Sequence, residues 1–190
     1  MTDEADRSRV RVLLVEDERP LAELYTSWLT EAYEVETVHD GEAAIDAYDE
    51  RVDVALLDRR LPETSGDRVL EHIRESGNPC RVAMVSAVTP DFDIYGMGFD
   101  DYLVKPVSKD DLLGLVEQLV RVSDYDEGLR RHFALSSKLA LLQTHKTEAE
   151  LAASEEYAAL RAEMDELDRE LTEAVGEMSV SDIGAVLRDA

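Results

Sequence analysis

The stretch VALLDRRLPETSG, Val54 to Gly66, runs from a continuous apolar segment directly into an acid, Asp58, and two arginines. A short apolar run bounded by polar residues is typical of a buried β-strand. A carboxylate at the end of such a strand lies at the edge of the core, where burial without a partner is costly. The stretch therefore predicts a strand that ends at a polar site, and other parts of the chain must supply the partners of Asp58.

Similar apolar runs recur along the chain and alternate with segments of helical spacing. The predicted strands are Val10–Val15, Glu34–Val38, Val52–Leu57, Arg81–Val85 and Asp101–Val104, and the predicted helices are Pro20–Ala32, Gly41–Glu50, Gly66–Ser76, Pro90–Met97 and Lys109–Val122. Strict alternation predicts an α/β fold, a doubly wound five-stranded parallel sheet with helices on both faces. The second strand carries Glu34 and Glu36, which favours an edge position.

Polar residues follow four of the predicted strands. They are Glu16 and Asp17 after the first strand, Asp58 after the third, Ser86 after the fourth and Lys105 after the fifth. In open α/β sheets, ligands bind beyond these carboxyl ends. Three carboxylates held together repel one another, and a hard cation such as Mg²⁺ would relieve this repulsion. With the hydroxyl and the ammonium, they would form a cradle for a phosphoryl group on Asp58, since Asp is a known nucleophile for phosphoryl transfer.

This set of residues resembles the receiver domain of two-component response regulators over about Val10–Val122, as do LPETSG (Leu61–Gly66) and FDDYLVKP (Phe99–Pro106). The resemblance implies a flavodoxin-like receiver fold with Asp58 as the phosphoacceptor. It implies that Ser86 and Lys105 contact the phosphoryl oxygens, and that the Mg²⁺ contacts are Glu16 (largely through water), Asp17, Asp58 and the backbone carbonyl of Arg60. Tyr102 looks like the aromatic switch that turns inward when Ser86 is drawn to the phosphate.

Beyond Ser123 the strand pattern stops, and the remaining tail is charged and helical. One predicted helix ends near Thr144, Thr147 and Glu150 have the spacing of a capping box, and a longer helix begins near Ser154. Its apolar residues form a heptad seam: Ala153, Tyr157, Leu160, Met164, Leu167, Leu171, Ala174 and Met178. The seam must be buried in a helical hairpin, which we favour, or in a coiled coil with a second chain. A short last helix is predicted at Ser179–Leu187.

The tail segment Lys138–Leu167 is similar to the HalX domain, which follows receiver domains in haloarchaea and whose function is poorly defined. We therefore divide the chain into a polar N-terminal tail, a receiver domain and a HalX-like helical domain, at residues 1–9, 10–122 and 123–190. From Asp124 onward the tail carries 16 acids against 7 bases, and it shows no helix-turn-helix pattern. Both features disfavour an output domain that binds DNA.

The whole chain is strongly acidic, with 44 acidic against 20 basic residues and a formal net charge of −24. This excess disfavours nucleic acid and anionic membranes as partners. One hypothesis is adaptation to molar salt, where the screening length falls to about 3 Å. No apolar run reaches the roughly 18 residues of a membrane span, and the N-terminus lacks a signal-peptide pattern, so we expect a cytoplasmic protein. Cys80, the single cysteine, is expected to be a buried thiol without a functional role.

The predicted function is that of a response regulator, a switch rather than a turnover enzyme. A sensor histidine kinase would phosphorylate Asp58, and the tail would signal to a downstream protein or form a homodimer. One alternative is a transcription regulator whose tail contacts DNA. The other is a Mg²⁺-dependent phosphatase with an aspartyl-phosphate intermediate, which is disfavoured because such enzymes usually carry an acid two residues after the nucleophile, where this chain has Arg60.

Overall fold

The computed structural model of the chain describes residues 9–123 and 127–177. Five strands form one parallel sheet in the order β2-β1-β3-β4-β5. They are β1 (Arg11–Val15), β2 (Glu34–Val38), β3 (Val54–Leu57), β4 (Arg81–Ser86) and β5 (Asp101–Val104). The predicted doubly wound sheet is confirmed, and β2 lies at its edge as its charged residues indicated.

Four α-helices cover the two faces of the sheet: α1 (Arg19–Leu29), α2 (Gly41–Ala47), α3 (Gly66–Glu75) and α4 (Lys109–Ser123). Successive strand residues point to opposite faces, so Leu14 and Leu56 pack with α1 and α4. Leu13 and Leu57 pack on the opposite face, with α2 and α3. The sheet is thereby buried on both sides, which explains why its central strands are continuously apolar.

The predicted helix Pro90–Met97 is wrong, because the segment forms only a 3-10 turn, Phe92–Gly96. Gly96 and Gly98 follow one another closely here, and glycine is a poor helix former. The Asp91 side chain accepts a hydrogen bond from the Phe92 amide at 2.7 Å, which favours a turn over a longer helix. The 3-10 turn leaves part of the sheet face around β4 and β5 without a full helix above it.

The tail folds back on itself as three helices: α5 (Glu127–His145), α6 (Glu148–Ala153) and α7 (Glu155–Glu177). The predicted capping box at Thr147 and Glu150 is present at the start of α6. The polar contacts show that α5 and α7 are antiparallel. Arg131, early in α5, bonds Glu163, whereas Gln143, late in α5, bonds Tyr157, which comes earlier in α7. The tail is therefore an antiparallel hairpin, which we call the tail hairpin (α5 to α7).

The tail hairpin is part of the main hydrophobic core. Leu135, Leu139 and Leu142 of α5 and Leu160 and Leu167 of α7 are buried in the same cluster as the β4 and β5 side chains. The tail and the receiver thus share one apolar core. The α5 and α7 helices contact the 3-10 turn, and α5 contacts β5, so they cover the sheet face where the predicted helix is missing.

Most of the predicted heptad seam is buried. Tyr157, Leu160, Met164, Leu167 and Leu171 all belong to or pack against the core. Ala153 is an exception, because it ends α6 and is exposed. The side chains of Ala174 and Met178, and the predicted helix Ser179–Leu187, lie outside the described residues. No helix in the described part of the chain is both long enough and apolar enough to cross a membrane.

Cys80 lies immediately before β4 and is 2% exposed. Burial raises the pKa of the Cys80 thiol from 9.0 to about 12. Only the thiolate reacts with alkylating agents. We predict that Cys80 of the folded chain reacts with iodoacetamide at neutral pH about a thousandfold more slowly than Cys80 of the urea-unfolded chain, from the thiolate fraction alone. Equal alkylation rates, followed by mass spectrometry, would contradict this.

Candidate functional site

The sheet topology places the predicted site residues together. Glu16 and Asp17 follow β1, Asp58 follows β3, Ser86 ends β4 and Lys105 follows β5. The strands β1, β3, β4 and β5 are successive neighbours, with Val15 opposite Leu57 and Leu57 opposite Met84. Because all four strands are parallel, their carboxyl ends form one crevice.

Asp58 is 7% exposed and accepts three hydrogen bonds. The Lys105 ammonium donates to Oδ2 at 2.5 Å. The Ser86 hydroxyl and the Arg60 backbone amide donate to Oδ1 at 2.8 and 2.9 Å. The buried carboxylate is thus held in one orientation by a cation, a hydroxyl and a backbone amide.

The Lys105 ammonium joins two buried carboxylates. It lies 2.7 Å from Oε2 of Glu16 as well as 2.5 Å from Oδ2 of Asp58. Burial opposes the charge on Lys105, but the hydrogen bonds that its ammonium donates to Asp58 and Glu16 outweigh this effect and raise the pKa of Lys105. Burial also raises the pKa of Glu16 above its ordinary value, and the nearby Lys105 ammonium offsets only part of this rise. Lys105 therefore remains an ammonium, and it partly relieves the repulsion between the two acids.

Three carboxylates of the crevice form a set that could hold a metal ion. Ligand oxygens of Glu16, Asp17 and Asp58 lie within 4.8 Å of one another, with Asp17 exposed and the other two buried. A donor set made only of oxygen suits a hard cation such as Mg²⁺. An exposed carboxylate at the mouth leaves a path for the ion to enter. The residues therefore fit the predicted Mg²⁺ site, to which the carbonyl of Arg60 would be a further contact.

After Asp58 the chain reverses direction through a loop that leads into α3, which begins at Gly66. The Gly66 amide donates to the Arg59 carbonyl at 3.1 Å, and the Ser65 side chain caps the helix. A Cβ on Gly66 would lie 2.1 Å from the Asp58 carbonyl oxygen, which is backbone and cannot move aside. Only glycine fits at this position. The LPETSG segment therefore forms a loop whose end packs closely against the backbone of Asp58.

Tyr102 is already turned inward in this structure. Its side chain is 4% exposed, its hydroxyl donates to the Val88 carbonyl at 2.6 Å, and its ring meets Phe99 edge to face at 5.7 Å. Burial raises the pKa of Tyr102. Ser86 bonds Asp58 in the same structure, so the inward ring and the inward hydroxyl occur together. The predicted coupling of the two as a switch stays a prediction.

Sequence reasoning missed the contacts of Arg59. Its guanidinium pairs with Asp67 of α3 at 3.1 Å and with Asp93 of the 3-10 turn. Although burial opposes its charge, the two acids raise the pKa of Arg59. An arginine directly after Asp58 was the available signal, but its partners lie 8 and 34 residues away and could not be identified from spacing.

Family models match both parts of the chain. The model of the response regulator receiver domain matches residues 12–117, and that of the HalX domain matches residues 121–187. A Haloferax volcanii protein named as a transcriptional regulator is 46% identical over 165 residues, covering 86% of this chain and 28% of that protein. The transcriptional regulatory protein TrcR of Mycobacterium tuberculosis is 38% identical over 136 residues, 66% of this chain and 53% of TrcR. The chain thus spans between about a quarter and a half of these relatives.

Solved structures with the same fold cover the first part of the chain. A CheY-like receiver domain protein from Methanospirillum hungatei is 26% identical with a TM-score of 0.56, covering 62% of this chain and 98% of that one. The response regulator TrrA of Thermotoga maritima, solved with Mg²⁺ and BeF, is 29% identical with a TM-score of 0.52. That match covers 58% of this chain and 98% of TrrA.

Proposed function

The chain belongs to the response regulator receiver family, and from this premise we propose that it is a phosphorylation switch with Asp58 as its phosphoacceptor. One observation carries the proposal: the buried Asp58 carboxylate is bonded at once by the Lys105 ammonium at 2.5 Å and the Ser86 hydroxyl at 2.8 Å. These contacts lie at the edge of the parallel sheet where ligands bind. A carboxylate that only stabilised the fold would not need an ammonium and a hydroxyl placed together at this edge.

The proposed reaction is transfer of a phosphoryl group to a carboxylate oxygen of Asp58. An O–P bond forms as the bond between phosphorus and the donor breaks, and the ionised carboxylate has no proton to lose. Lys105 and Ser86 would then donate to the phosphoryl oxygens, where negative charge must be neutralised. Glu16, Asp17, Asp58 and the backbone carbonyl of Arg60 would hold Mg²⁺, which supplies further positive charge beside those oxygens.

The donor we propose is a sensor histidine kinase, as the family implies. The acyl phosphate stays on the chain, so the protein acts as a switch and not as a turnover enzyme. The phosphatase alternative lacks support, because Arg60 stands where the second acid would be needed. DNA contact by the tail is a second candidate, motivated by relatives named as transcriptional regulators. The 16 acids and 7 bases from Asp124 onward argue against it.

Phosphorylation by acetyl phosphate tests the proposal. The full chain with Mg²⁺ should gain one phosphoryl group that is stable to acid and labile to alkali, as an acyl phosphate is, and EDTA should suppress the gain. The measurement is intact-mass spectrometry before and after alkali treatment. Incorporation that is equal with EDTA, or steady turnover of a small phosphate ester, would overturn the proposal.

We propose that the signal reaches the tail hairpin through Arg59 and the 3-10 turn. Arg59 follows Asp58 and holds Asp93 of the turn. The far side of the turn is held by the tail: the Lys146 ammonium lies 2.9 Å from Asp91, and that of Lys138 donates to the Met97 carbonyl at 2.5 Å. A phosphoryl group on Asp58 would compete with Asp93 for the Arg59 guanidinium. The turn would then shift, together with the tail hairpin that contacts it. The new position of the tail hairpin would change its exposed surface or favour a homodimer.

Two spin labels test this route. Glu42→Cys on α2 and Glu166→Cys on α7 are both exposed positions, and buried Cys80 should not compete for the label. We expect BeF₃⁻ with Mg²⁺ to change the distance between the labels, and Arg59→Gln to reduce this change. Couplings of this kind are worth about 1 to 3 kcal/mol. An unchanged distance together with an unchanged oligomeric state would contradict the route.

A further inference from the structure

A cavity of about 480 Å³ lies at the junction of the receiver and the tail hairpin, away from Asp58. It is lined by the end of α3, the start of β4, the segment after the 3-10 turn, the first half of α5 and Glu163 of α7. Its volume falls within the range of about 300 to 1,000 Å³ that small-molecule sites occupy. None of its lining residues belongs to the phosphoacceptor site.

The lining of this junction cavity has the opposite charge to the protein. Among the described residues it holds two carboxylates, Asp100 and Glu163, and five cations: Arg74, Arg81, Arg130, Arg131 and Lys138. The described lining therefore carries a net charge of +3, in a chain whose net charge is −24 and which has only 20 lysines and arginines. A quarter of the lysines and arginines therefore line one cavity. Their combined positive charge favours the binding of an anion there.

The two carboxylates already form ion pairs with three of the five cations. Asp100 pairs with Arg74 at 2.7 Å and with Arg81 at 2.9 Å. Glu163 pairs with Arg131 at 2.6 Å. Within the described part of the chain, neither Arg130 nor Lys138 has a carboxylate at ion-pair distance.

Lys138 and Arg130 are held at the cavity in a way that leaves capacity for a ligand. Lys138 is 7% exposed, donates to the Met97 carbonyl at 2.5 Å and lies 5.1 Å from the centre of the Phe99 ring. Burial lowers the pKa of Lys138, so an anion beside its ammonium would stabilise the charge. Nε of Arg130 and Nε of Arg81 are buried and have no hydrogen-bond partner among the residues that the structure describes. Buried donors without an acceptor are rare, and each of these two guanidinium groups therefore has fewer acceptors than its five N–H donors could use.

We propose that the junction cavity binds a small phosphorylated anion, either inorganic phosphate or a phosphate ester of mononucleotide size. A guanidinium group can donate two parallel hydrogen bonds to two oxygens of one phosphate, a bidentate contact. A spherical anion such as chloride has no pair of oxygens to accept them. The cavity exceeds the size of an inorganic ion, and the Tyr95 side chain in its lining offers an aromatic surface to an organic portion. The proposal is independent of the phosphoacceptor role of Asp58.

A ligand in this cavity would hold the receiver and the tail hairpin together. Arg74, Arg81 and Asp100 belong to the receiver, whereas Arg130, Lys138 and Glu163 belong to the tail hairpin. A ligand that binds only the folded, docked chain stabilises it by mass action. The tail would therefore respond to a metabolite as well as to phosphorylation.

Calorimetric titration of the full chain tests the site, with inorganic phosphate, adenosine 5′-monophosphate and adenosine as probes at constant ionic strength. We expect phosphate or the monophosphate to bind and adenosine not to bind, and Arg130→Gln to weaken binding about tenfold to a hundredfold. Lys109→Gln is the matched control, because its ammonium pairs with Glu31 and does not line the cavity. Binding by the monophosphate alone identifies an ester, and equal binding of both identifies the phosphate group.

Two further variants keep the test decisive. If Arg130→Gln does not fold, Arg131→Gln, whose side chain is 57% exposed, replaces it with the same expectation. Lys105→Ala separates this cavity from the phosphoacceptor crevice and should leave binding intact. The proposal is overturned if neither phosphorylated probe binds at millimolar concentration, if the cavity variants bind as tightly as Lys109→Gln, or if Lys105→Ala alone abolishes binding.

Discussion

Asp58→Asn is expected to reduce phosphoryl incorporation from acetyl phosphate and Mg²⁺ to background. The amide is neutral and a far weaker nucleophile than the carboxylate, and it cannot form an acyl phosphate. The fold should persist, because asparagine has nearly the same shape and its carbonyl can accept hydrogen bonds from Ser86 and the Arg60 amide. Lys105 would keep Glu16 as a charged partner at 2.7 Å. Intact-mass spectrometry gives the result directly.

The matched control is Asp46→Asn, which removes an exposed carboxylate of α2 outside the crevice. This variant should incorporate phosphoryl as the parent chain does. If Asp58→Asn retained the alkali-labile group at the parent level, the acceptor would lie elsewhere, and the geometry around Asp58 would have another purpose. Comparison of the two variants thus separates the loss of the nucleophile from the general effect of one fewer negative charge.

Leu142→Ala is expected to destabilise the receiver as well as the tail, by about 2 to 5 kcal/mol. Leu142 lies in α5 at 0% exposure and belongs to the core cluster that includes side chains of β4 and β5. Removing most of its side chain would leave a cavity between the tail hairpin and the sheet. Trp28, the only tryptophan, lies in α1 on the opposite sheet face. Urea unfolding followed by Trp28 fluorescence therefore reports on the receiver itself.

Leu129→Ala in the same helix provides the control, because Leu129 is 39% exposed and should cost less than about 1 kcal/mol. Equal midpoints for the two variants would mean that the tail hairpin is not packed into the receiver core. A biphasic transition, with the Trp28 signal unchanged in Leu142→Ala, would mean that the tail and the receiver unfold separately.

The candidate site was predictable from the sequence because it depends on strand order and not on side-chain packing. Each strand of a parallel sheet ends at the same edge, so the residues after β1, β3, β4 and β5 must meet. The resemblance to receiver domains and to HalX, drawn from those residues and from Lys138–Leu167, is confirmed by the family matches. The roles of the individual residues, the division of the chain at residue 122 and the adaptation to salt stay predictions.

The covering of β4 and β5 was not predictable in the same way. Helical spacing in Leu135, Leu139 and Leu142 shows that one face of α5 must be buried, but not against which surface. The segment Pro90–Met97 resembled a helix by its spacing, and only the short 3-10 turn that it forms left room above the sheet for the tail hairpin. Its contact with the 3-10 turn joins residues far apart in sequence, such as Met97 and Lys138.

By itself, the sequence determined the alternating fold, the crevice at the strand ends and the helical character of the tail, because local periodicity and chain order specify all three. Only the tertiary structure decided that the tail hairpin completes the core, that Arg59 links Asp58 to the 3-10 turn, and that basic residues from Arg74 to Lys138 surround one cavity. These features depend on which surfaces meet across long stretches of chain. That outcome is set by the shape and charge of both surfaces together, and no single segment contains it.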